Sequence, residues 1–223
     1  MRTGGRTASF GLGDVIGAGI RIGLAGLTVQ AVADALGVTT AAVYRHVPSR
    51  SALERLVGEA ILADLTLVDD PAEPAVAHLV GFAAQLRRFT LERPGTAEYF
   101  QRLFPRGPSG IRLLEHQIVA LGRRGYDPAA ATVLSSAIAT ITLGATMAEQ
   151  ERAAYYTPET AEDLQAVKAG SALLRQAMAG IPAHTPEDYF VLMLTATAEG
   201  LVARHPPGRP ITTGGRPDDG ADR

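Results

Sequence analysis

The sequence predicts an all-α fold, and three observations support that prediction. Apolar residues recur at helical spacing through most of the 223-residue chain. No run of alternating apolar and polar residues is long enough to indicate a sheet. Pro and Gly, often beside Thr, Asp or Ser, interrupt the periodic segments where one helix ends and the next begins. With 46% hydrophobic residues, the chain can bury a core as one large domain or two small ones.

The segment 27–50 predicts two short helices joined by a tight turn. Thr28 is placed to cap a first helix, because its hydroxyl can accept a backbone N–H that has no partner inside the helix. Gly37 follows the first helix and tolerates the positive φ of a turn, and Thr39 or Thr40 then caps a second helix. Four apolar residues of the first helix share one face: Val29, Val32, Ala33 and Leu36. This pattern predicts a helix-turn-helix, a motif that fits the DNA major groove.

A set of short motifs around this segment keeps a single register. They are Gly23-Leu24-Ala25-Gly26-Leu27-Thr28-Val29, Val32-Ala33, Leu36-Gly37-Val38, Val43-Tyr44-Arg45-His46-Val47, Ser49-Arg50 and Leu53. Together they resemble the DNA-binding domain of the TetR family of transcriptional regulators. The remaining residues carry no family signature.

The resemblance implies an N-terminal helix-turn-helix DNA-binding domain followed by a helical domain that binds an effector and forms a dimer. We assign residues 1–68 to the first, including a linking helix, and residues 69–205 to the second, because the run 69–74 is rich in turn formers. Residues 206–223 are rich in Pro, Gly, Asp and Arg and predict a disordered tail. Residues 1–10 predict a flexible arm, whose arginines either touch DNA or have no role.

The first helix is predicted over Asp14–Ile22, with Val15, Ile16 and Ile20 facing inward. It departs from the family in two ways. It contains Gly17 and Gly19, each costing up to about 1 kcal/mol relative to Ala in a helix. It is also about one turn shorter than the family's first helix.

A fourth helix is expected to begin at Ser49 or Ser51 and to run to about Leu67. Later helices are predicted over Pro74–Glu92, Gly95–Phe104, Ser109–Gly125, Pro128–Ala154, Pro158–Ala179 and Thr185–Arg204. The helix from Pro128 is rich in small residues and nearly uncharged, which requires burial. By resemblance, it and the last helix form a dimer interface. The alternative is that both lie inside one subunit.

Eight side chains of the helix-turn-helix region are candidates for DNA contact. Tyr44 is implied by resemblance to donate its hydroxyl to a phosphate, and Arg50 to hold another phosphate where the family usually has Lys. Arg45 and Thr40 can reach base edges from the recognition helix. The full set is Thr28, Gln30, Thr39, Thr40, Tyr44, Arg45, His46 and Arg50.

Alternatives remain open for several of these residues. Tyr44 can be a core aromatic, His46 a packed histidine, and Thr39 mainly a helix cap. Ala41 and Ala42 are expected to face outward, where they would contact thymine methyl groups.

The charge distribution is compatible with DNA binding. Residues 1–50 hold five basic and two acidic side chains, whereas the rest of the chain holds 16 basic and 21 acidic ones. The positive end therefore coincides with the helix-turn-helix, as docking on phosphates requires.

Candidate effector contacts lie in the helical body, because ligand pockets are mostly apolar with a few convergent polar groups. His116 and Gln117 are polar residues on an otherwise apolar helix. The aromatic residues are equally compatible with a plain core, and His116 with a satisfied core histidine. The candidates are Tyr99, Phe100, Phe104, Leu113, His116, Gln117, Met147 and Gln150.

Other classes of protein have little support. The chain has no Cys, so no thiol chemistry is possible and a reducing cytoplasm is the expected compartment. No uninterrupted apolar run approaches the roughly 20 residues that span a bilayer, and the first residues lack a signal-peptide pattern. The five histidines show no metal-ligand spacing, and no nucleophile elbow or phosphate-binding loop occurs. We therefore expect no enzyme activity, no cofactor, no metal and no membrane partner.

The sequence thus favours a homodimeric regulator, a repressor as is commoner in the family. It would bind a pseudo-palindromic DNA operator and be released by a small-molecule effector. Two alternatives remain: a constitutive DNA-binding regulator without effector, and a ligand-sequestering protein that has lost DNA binding.

Overall fold

The computed structural model describes residues 10–103, 107–155 and 157–211. Throughout these ranges the secondary structure is helical, with no strand, which confirms the all-α prediction. The α-helices are α1 (Leu12–Ile22), α2 (Val29–Leu36), α3 (Thr40–Tyr44), α4 (Arg50–Ala63), α5 (Ala75–Leu91), α6 (Thr96–Leu103), α7 (Pro108–Gly122), α8 (Pro128–Tyr155), α9 (Pro158–Gly170), α10 (Ala172–Ala179) and α11 (Pro186–Arg204). A short 3-10 helix, Leu24–Gly26, joins α1 to α2.

Most helix boundaries lie within three residues of the predictions, and two differences are larger. The fourth helix ends at Ala63 rather than near Leu67. The segment predicted as one helix over Pro158–Ala179 is two helices, because Ser171 adopts an extended conformation. Its hydroxyl accepts a hydrogen bond from the Leu174 N–H at 3.2 Å and so begins α10 as an N-cap.

The chain packs as two compact units. Unit 1 holds the residues up to Thr66 together with Phe89–Leu113, and unit 2 holds Leu67–Arg88 and the residues from 114 onward. The chain first passes from unit 1 to unit 2 after Thr66, close to the predicted boundary at residue 68, but residues 89–113 belong to unit 1 again. Since packing units are not functional domains, the assignment of functions to 1–68 and 69–205 stays a prediction.

Unit 1 is built on α4, against which α1 and α6 pack without room for a further methyl group. A Cβ on Gly19 would lie 2.3 Å from Cγ2 of Val57, and a Cβ on Gly58 would lie 2.3 Å from the Tyr99 ring. Gly19 lowers helix propensity, but its lack of a side chain allows α1 to pack closely on α4. Ile20, predicted to face inward, is 42% exposed. The inner face of α1 passes instead through Ala18 and Gly19, which fall on the same side as Val15.

Polar contacts fix both the middle and the end of α4. The Glu59 carboxylate accepts the Ser109 N–H at 2.5 Å, at the start of α7. The Arg112 guanidinium donates to the carbonyls of Leu62, Ala63 and Leu65 at 3.2–3.5 Å. These carbonyls lie at or just beyond the C-terminus of α4, where intrahelical donors run out. A positive charge at this end also suits the helix dipole.

Unit 2 contains α8 and α11, which pack on one another. The hydroxyls of Ser135, Thr142 and Thr146 on α8 are buried, and each donates to the carbonyl four residues earlier at 2.7–2.9 Å. These bonds let a helix rich in hydroxyl groups enter an apolar core.

By length and composition α8 is apolar enough to cross a membrane, and 44% of its most apolar window is buried inside the structure. Ser and Thr residues interrupt the apolar residues of α8, so the sequence contains no uninterrupted apolar run of this length although its mean hydropathy is high. Core helices satisfy the same test, and the packing of α8 on α11 fits that explanation.

The chain after α11 turns back onto the α7–α8 connection. Gly208 donates its N–H to the carbonyl of Gly125 at 2.9 Å, and both glycines have positive φ, of 77° and 86°. Residues 206–211, which the sequence assigned to a disordered tail, are thus partly held by a backbone bond. Residues 212–223 lie outside the described residues.

Substitution of Gly58 tests the close packing of α6 on α4. Gly58→Ala should lower the free energy of unfolding by about 1–3 kcal/mol, because the new methyl group overlaps the Tyr99 ring. Gly81→Ala is the matched control, since a Cβ at Gly81 in α5 meets nothing within 4 Å. The control should stabilise by about 0.5–1 kcal/mol. Chemical denaturation at fixed protein concentration measures both, and equal effects would refute the packing argument.

Candidate nucleic-acid interface and effector site

Three hydroxyl caps define the helix-turn-helix. The side-chain oxygens of Thr28, Thr39 and Ser49 each accept the N–H of the third residue on, at 2.9, 3.2 and 3.1 Å. Gly37 ends α2 in the left-handed conformation, with φ 67° and ψ 33°. The caps and the turn thus lie at the residues predicted from the sequence.

The core of this motif is separate from its outer face. Val32, Ala33, Val43 and Val47 are fully buried. Six of the predicted DNA contacts are exposed, namely Thr28, Gln30, Thr39, Tyr44, Arg45 and Arg50, whereas Thr40 and His46 are half-buried. One prediction for this face was wrong: Ala42 is only 7% exposed, because it packs into the core beside Val43.

Tyr44 is 48% exposed, which excludes the core-aromatic alternative. Arg45 and Arg50 are exposed too, and in the described part of the chain neither forms an ion pair. Gln30 instead donates its amide to Asp34 at 2.7 Å. A phenol at the end of α3, and guanidinium groups without ion-pair partners just after α3 and at the start of α4, therefore lie on the surface, a composition suited to phosphate contact.

His46 packs edge-on against the Phe10 ring, with the ring centroids 4.8 Å apart and the planes at 64°. Phe10 is the first described residue, and it fixes the start of the chain beside the C-terminal end of α3. The predicted arm residues Arg2 and Arg6 lie outside the described residues.

The predicted effector residues are divided between the two units. Tyr99, Phe100 and Leu113 are buried in unit 1. Tyr99 covers Gly58 and places its hydroxyl 3.4 Å from the Arg55 carbonyl, so it has a clear packing role. Phe104 lies outside the described residues.

The other four predicted effector residues belong to unit 2. His116, Met147 and Gln150 are half-buried, and Gln117 is only 2% exposed. The eight residues therefore do not gather in one packing unit, and their role in effector binding stays a prediction.

Sequence reasoning missed a polar cluster in unit 2, buried except for Arg123, which we call the Asp69 cluster: Asp69, His78, Gln117, Arg123 and Arg124. Its centre is Asp69, whose Oδ1 lies 2.8 Å from Nδ1 of His78 and 2.7 Å from the Arg124 guanidinium. Arg123 pairs with the other carboxylate oxygen. Arg124 also donates to the carbonyls of Glu73 and Asp70 at 2.9 and 2.6 Å. The sequence signals were a pair of arginines after α7, a pair of aspartates after α4, and Gln117 as a polar residue on an otherwise apolar helix.

The pKa values of two groups in the Asp69 cluster, Asp69 and His78, are both lowered. Burial by itself raises the pKa of Asp69, but the hydrogen bonds from Arg124 and Arg123 and the surrounding positive charge outweigh it and lower the pKa far below 3.8. Burial lowers the pKa of His78 from 6.5, and the charge of Arg124 adds to the shift. Both groups thus favour their deprotonated forms in the folded protein.

Comparison with known proteins shows what this fold resembles. No family model matches the sequence, and no curated protein does either. Among solved structures, apo ActR from Streptomyces coelicolor shares 20% identity and covers 88% of this chain and 98% of its own, with a TM-score of 0.71. A possible TetR family transcriptional regulator from Streptomyces coelicolor A3(2) shares 22% identity over 86% of this chain and 98% of its own, with a TM-score of 0.70.

A third similar structure is a TetR variant from Acinetobacter baumannii AYE in complex with minocycline. It shares 20% identity and covers 87% of this chain and 98% of its own, with a TM-score of 0.63. ActR has also been solved in complex with actinorhodin. The chain therefore has the fold of TetR-family regulators.

The lowered pKa values of His78 and Asp69 predict how the free energy of unfolding depends on pH. His78 has a folded pKa below its unfolded value of 6.5, so its contribution is complete above that value and is lost as pH falls. Asp69 acts in the same direction below 3.8. The free energy of unfolding should therefore decline between about pH 7.5 and about pH 5, and less steeply in His78→Gln. The exposed His184, replaced by Gln, is the control and should keep the wild-type slope. An unchanged slope in His78→Gln would show that His78 is not buried in its neutral form.

Proposed function

We propose that this chain is a transcriptional regulator that binds double-stranded DNA through the helix-turn-helix formed by α2 and α3. The observation that carries the proposal is the exposed face of the motif, where Tyr44, Arg45 and Arg50 lie without ion-pair partners among the described residues. An exposed guanidinium held on a rigid capped helix suits phosphate binding better than an interior role. Residues 1–68 would act as the DNA-binding domain.

In this proposal the predicted contacts divide into two kinds. Tyr44, Arg50 and Thr28 would hold backbone phosphates, with Arg50 at the first turn of α4. Arg45 and Thr40 would reach base edges from α3, which gives sequence preference. Gln30, Thr39 and His46 border the same face.

A homodimer would provide the second recognition helix that a pseudo-palindromic operator requires. The support lies in unit 2, where α8 and α11 leave large apolar side chains exposed. Leu192 is 67% exposed, and Tyr189 and Val133 are exposed as well. Exposed large apolar side chains on both of two packed helices suit burial in an interface between subunits. Two such helix pairs would form a four-helix interface.

The helical body would bind a small-molecule effector that shifts the dimer away from its DNA-binding conformation. The support is the fold, since ActR and TetR with this fold have been solved with actinorhodin and minocycline bound. An effector can act only if it prefers the released conformation. We assign the protein to the cytoplasm, propose repression as the output, and propose no enzymatic step.

The direct test is fluorescence-anisotropy binding to DNA flanking this chain's gene, against unrelated DNA of equal length. Sequence-selective binding that weakens with salt is expected. Equal weak binding to both DNAs would favour a ligand-sequestering protein. Effectors can then be sought by titrating small molecules against the DNA complex. A bound molecule that never changes operator affinity would favour a constitutive regulator.

Paired substitutions separate phosphate contacts from base contacts. Tyr44→Phe combined with Arg50→Ala should weaken binding to all DNA sequences and reduce the slope of log affinity against log salt by about one. Arg45→Ala should instead reduce the preference for operator over unrelated DNA, by about 1–3 kcal/mol. Arg88→Ala removes an exposed arginine of α5 and serves as the control. Unchanged binding in the double variant would refute the phosphate assignment.

The dimer has its own test. Leu192→Glu should convert the dimer to a monomer, because a carboxylate cannot be desolvated in an apolar interface without a large cost. Val68→Glu replaces a side chain of similar exposure, 74%, away from α8 and α11, and should leave the assembly intact. Sedimentation velocity distinguishes the two states. A dimer that survives Leu192→Glu would exclude this face as the interface.

A further inference from the structure

Helix α3 is too short to be stable by itself. It has five residues, Thr40–Tyr44, which is less than two turns. A helix of this length is unfavourable in isolation, because few hydrogen bonds offset the cost of forming its first turn. The Thr39 hydroxyl fixes its N-terminal end by accepting the Ala42 N–H at 3.2 Å. Its C-terminal end, which leads into the exposed Arg45, needs other contacts.

Two valines hold the inner side of this end. Val43 and Val47 are fully buried, and the N–H groups of His46 and Val47 both donate to the Val43 carbonyl, at 2.9 and 3.1 Å. Burial of the valines fixes the backbone against the core of the motif. The orientation of the side chains on the outer side depends on further contacts.

The ring pair of Phe10 and His46 is such a contact. The ring centroids lie 4.8 Å apart with the planes at 64°, the edge-on arrangement that aromatic rings favour. Both residues are half-buried. Since Phe10 precedes α1 and His46 follows α3, the pair joins two segments that are far apart along the chain. The main packing partner of α3 is α2, so this contact supports α3 from a second direction.

The backbone next to Phe10 is itself fixed. The Gly11 N–H donates to the Asp14 carboxylate at 2.8 Å, and the N–H groups of Asp14 and Val15 donate to the Gly11 carbonyl at 3.1 and 3.2 Å. These bonds form the N-terminal cap of α1, which packs on α4. The Phe10 ring is therefore attached directly to a rigid element of unit 1.

We propose that Phe10 is a positioning residue for DNA binding, which acts through His46 to hold the C-terminal end of α3 in its binding orientation. Tyr44 and Arg45, two of the proposed DNA contacts, lie at this end and are exposed. Without the ring pair this end would be mobile, and DNA would have to order it at a cost in affinity. The inference rests on the proposed function, because it assumes that α3 binds DNA.

The first experiment is amide hydrogen exchange measured by NMR on the full chain without DNA. Phe10→Ala should speed exchange at the amides of Arg45 and His46 about three- to tenfold relative to the Val32 amide in α2, a range set by the strength of an aromatic pair. Phe10→Tyr keeps the ring and should restore the wild-type rates. Leu12→Ala removes a neighbouring side chain that is 41% exposed, and as the control it should change neither rate. Unchanged rates in Phe10→Ala, or equal acceleration at Val32, would overturn the proposal.

The second experiment is a double-mutant cycle on DNA affinity, measured by anisotropy with DNA flanking this chain's gene. Phe10→Ala should weaken binding about three- to tenfold, and Phe10→Tyr should retain the wild-type affinity. In a His46→Ala background the same Phe10→Ala change should cost less than about twofold, because the ring pair is already absent. Equal losses in both backgrounds would show that Phe10 does not act through His46.

The failure of this inference can be told apart from the failure of the proposed function. Wild-type DNA binding that is unaffected by Phe10→Ala would overturn only the role of Phe10. A wild-type chain that binds no DNA would instead contradict the proposed regulator, and with it any role of Phe10 in DNA binding. Exchange rates that still depend on Phe10 would then show that the ring pair forms and that the missing activity has another cause.

Discussion

The packing of two helices against adjacent residues of α4 is the constraint on which unit 1 depends. Val57 lies in the space that a side chain at Gly19 of α1 would need, and Gly58 leaves space for the Tyr99 ring of α6. Neighbouring helical residues point about 100° apart, so α1 and α6 reach α4 from different sides at the same level. Helix α3 packs on α2, α2 packs on α1 and α1 packs on α4, so α3 takes its position from α4.

The segment between α4 and α5 has little regular structure, so its backbone groups need other partners. Arginine side chains provide them within each unit. In unit 1, Arg112 donates hydrogen bonds to carbonyls at the end of α4 and just beyond it. In unit 2, Arg124 donates to the carbonyls of Asp70 and Glu73. A guanidinium carries five N–H donors in a fixed plane, which lets one side chain satisfy several carbonyls at once. The irregular chain is thereby ordered without a strand or helix.

Local signals made the first part of the fold predictable. The caps at Thr28 and Thr39 and the turn at Gly37 act within a few residues, so the sequence alone placed α2 and α3. The orientation of Ile20 and Ala42 depends on neighbouring helices, and both were wrongly assigned. Gly170-Ser171 was the available signal for the break between α9 and α10. In the Asp69 cluster, Gln117, Arg123 and Arg124 lie some 40 to 55 residues along the chain from their partners, which no local pattern indicates.

The backbone bond from Gly208 to Gly125 has a dynamic consequence for α11. Helix ends normally fray, because their last carbonyls lack intrahelical donors. Here the chain is anchored four residues beyond Arg204, so a final turn of α11 that unwinds gains less conformational freedom than a free end would. Amide protons there should exchange with solvent more slowly than at an unanchored helix end. The helix that presents Leu192 is thus kept at full length by a turn elsewhere in its own unit.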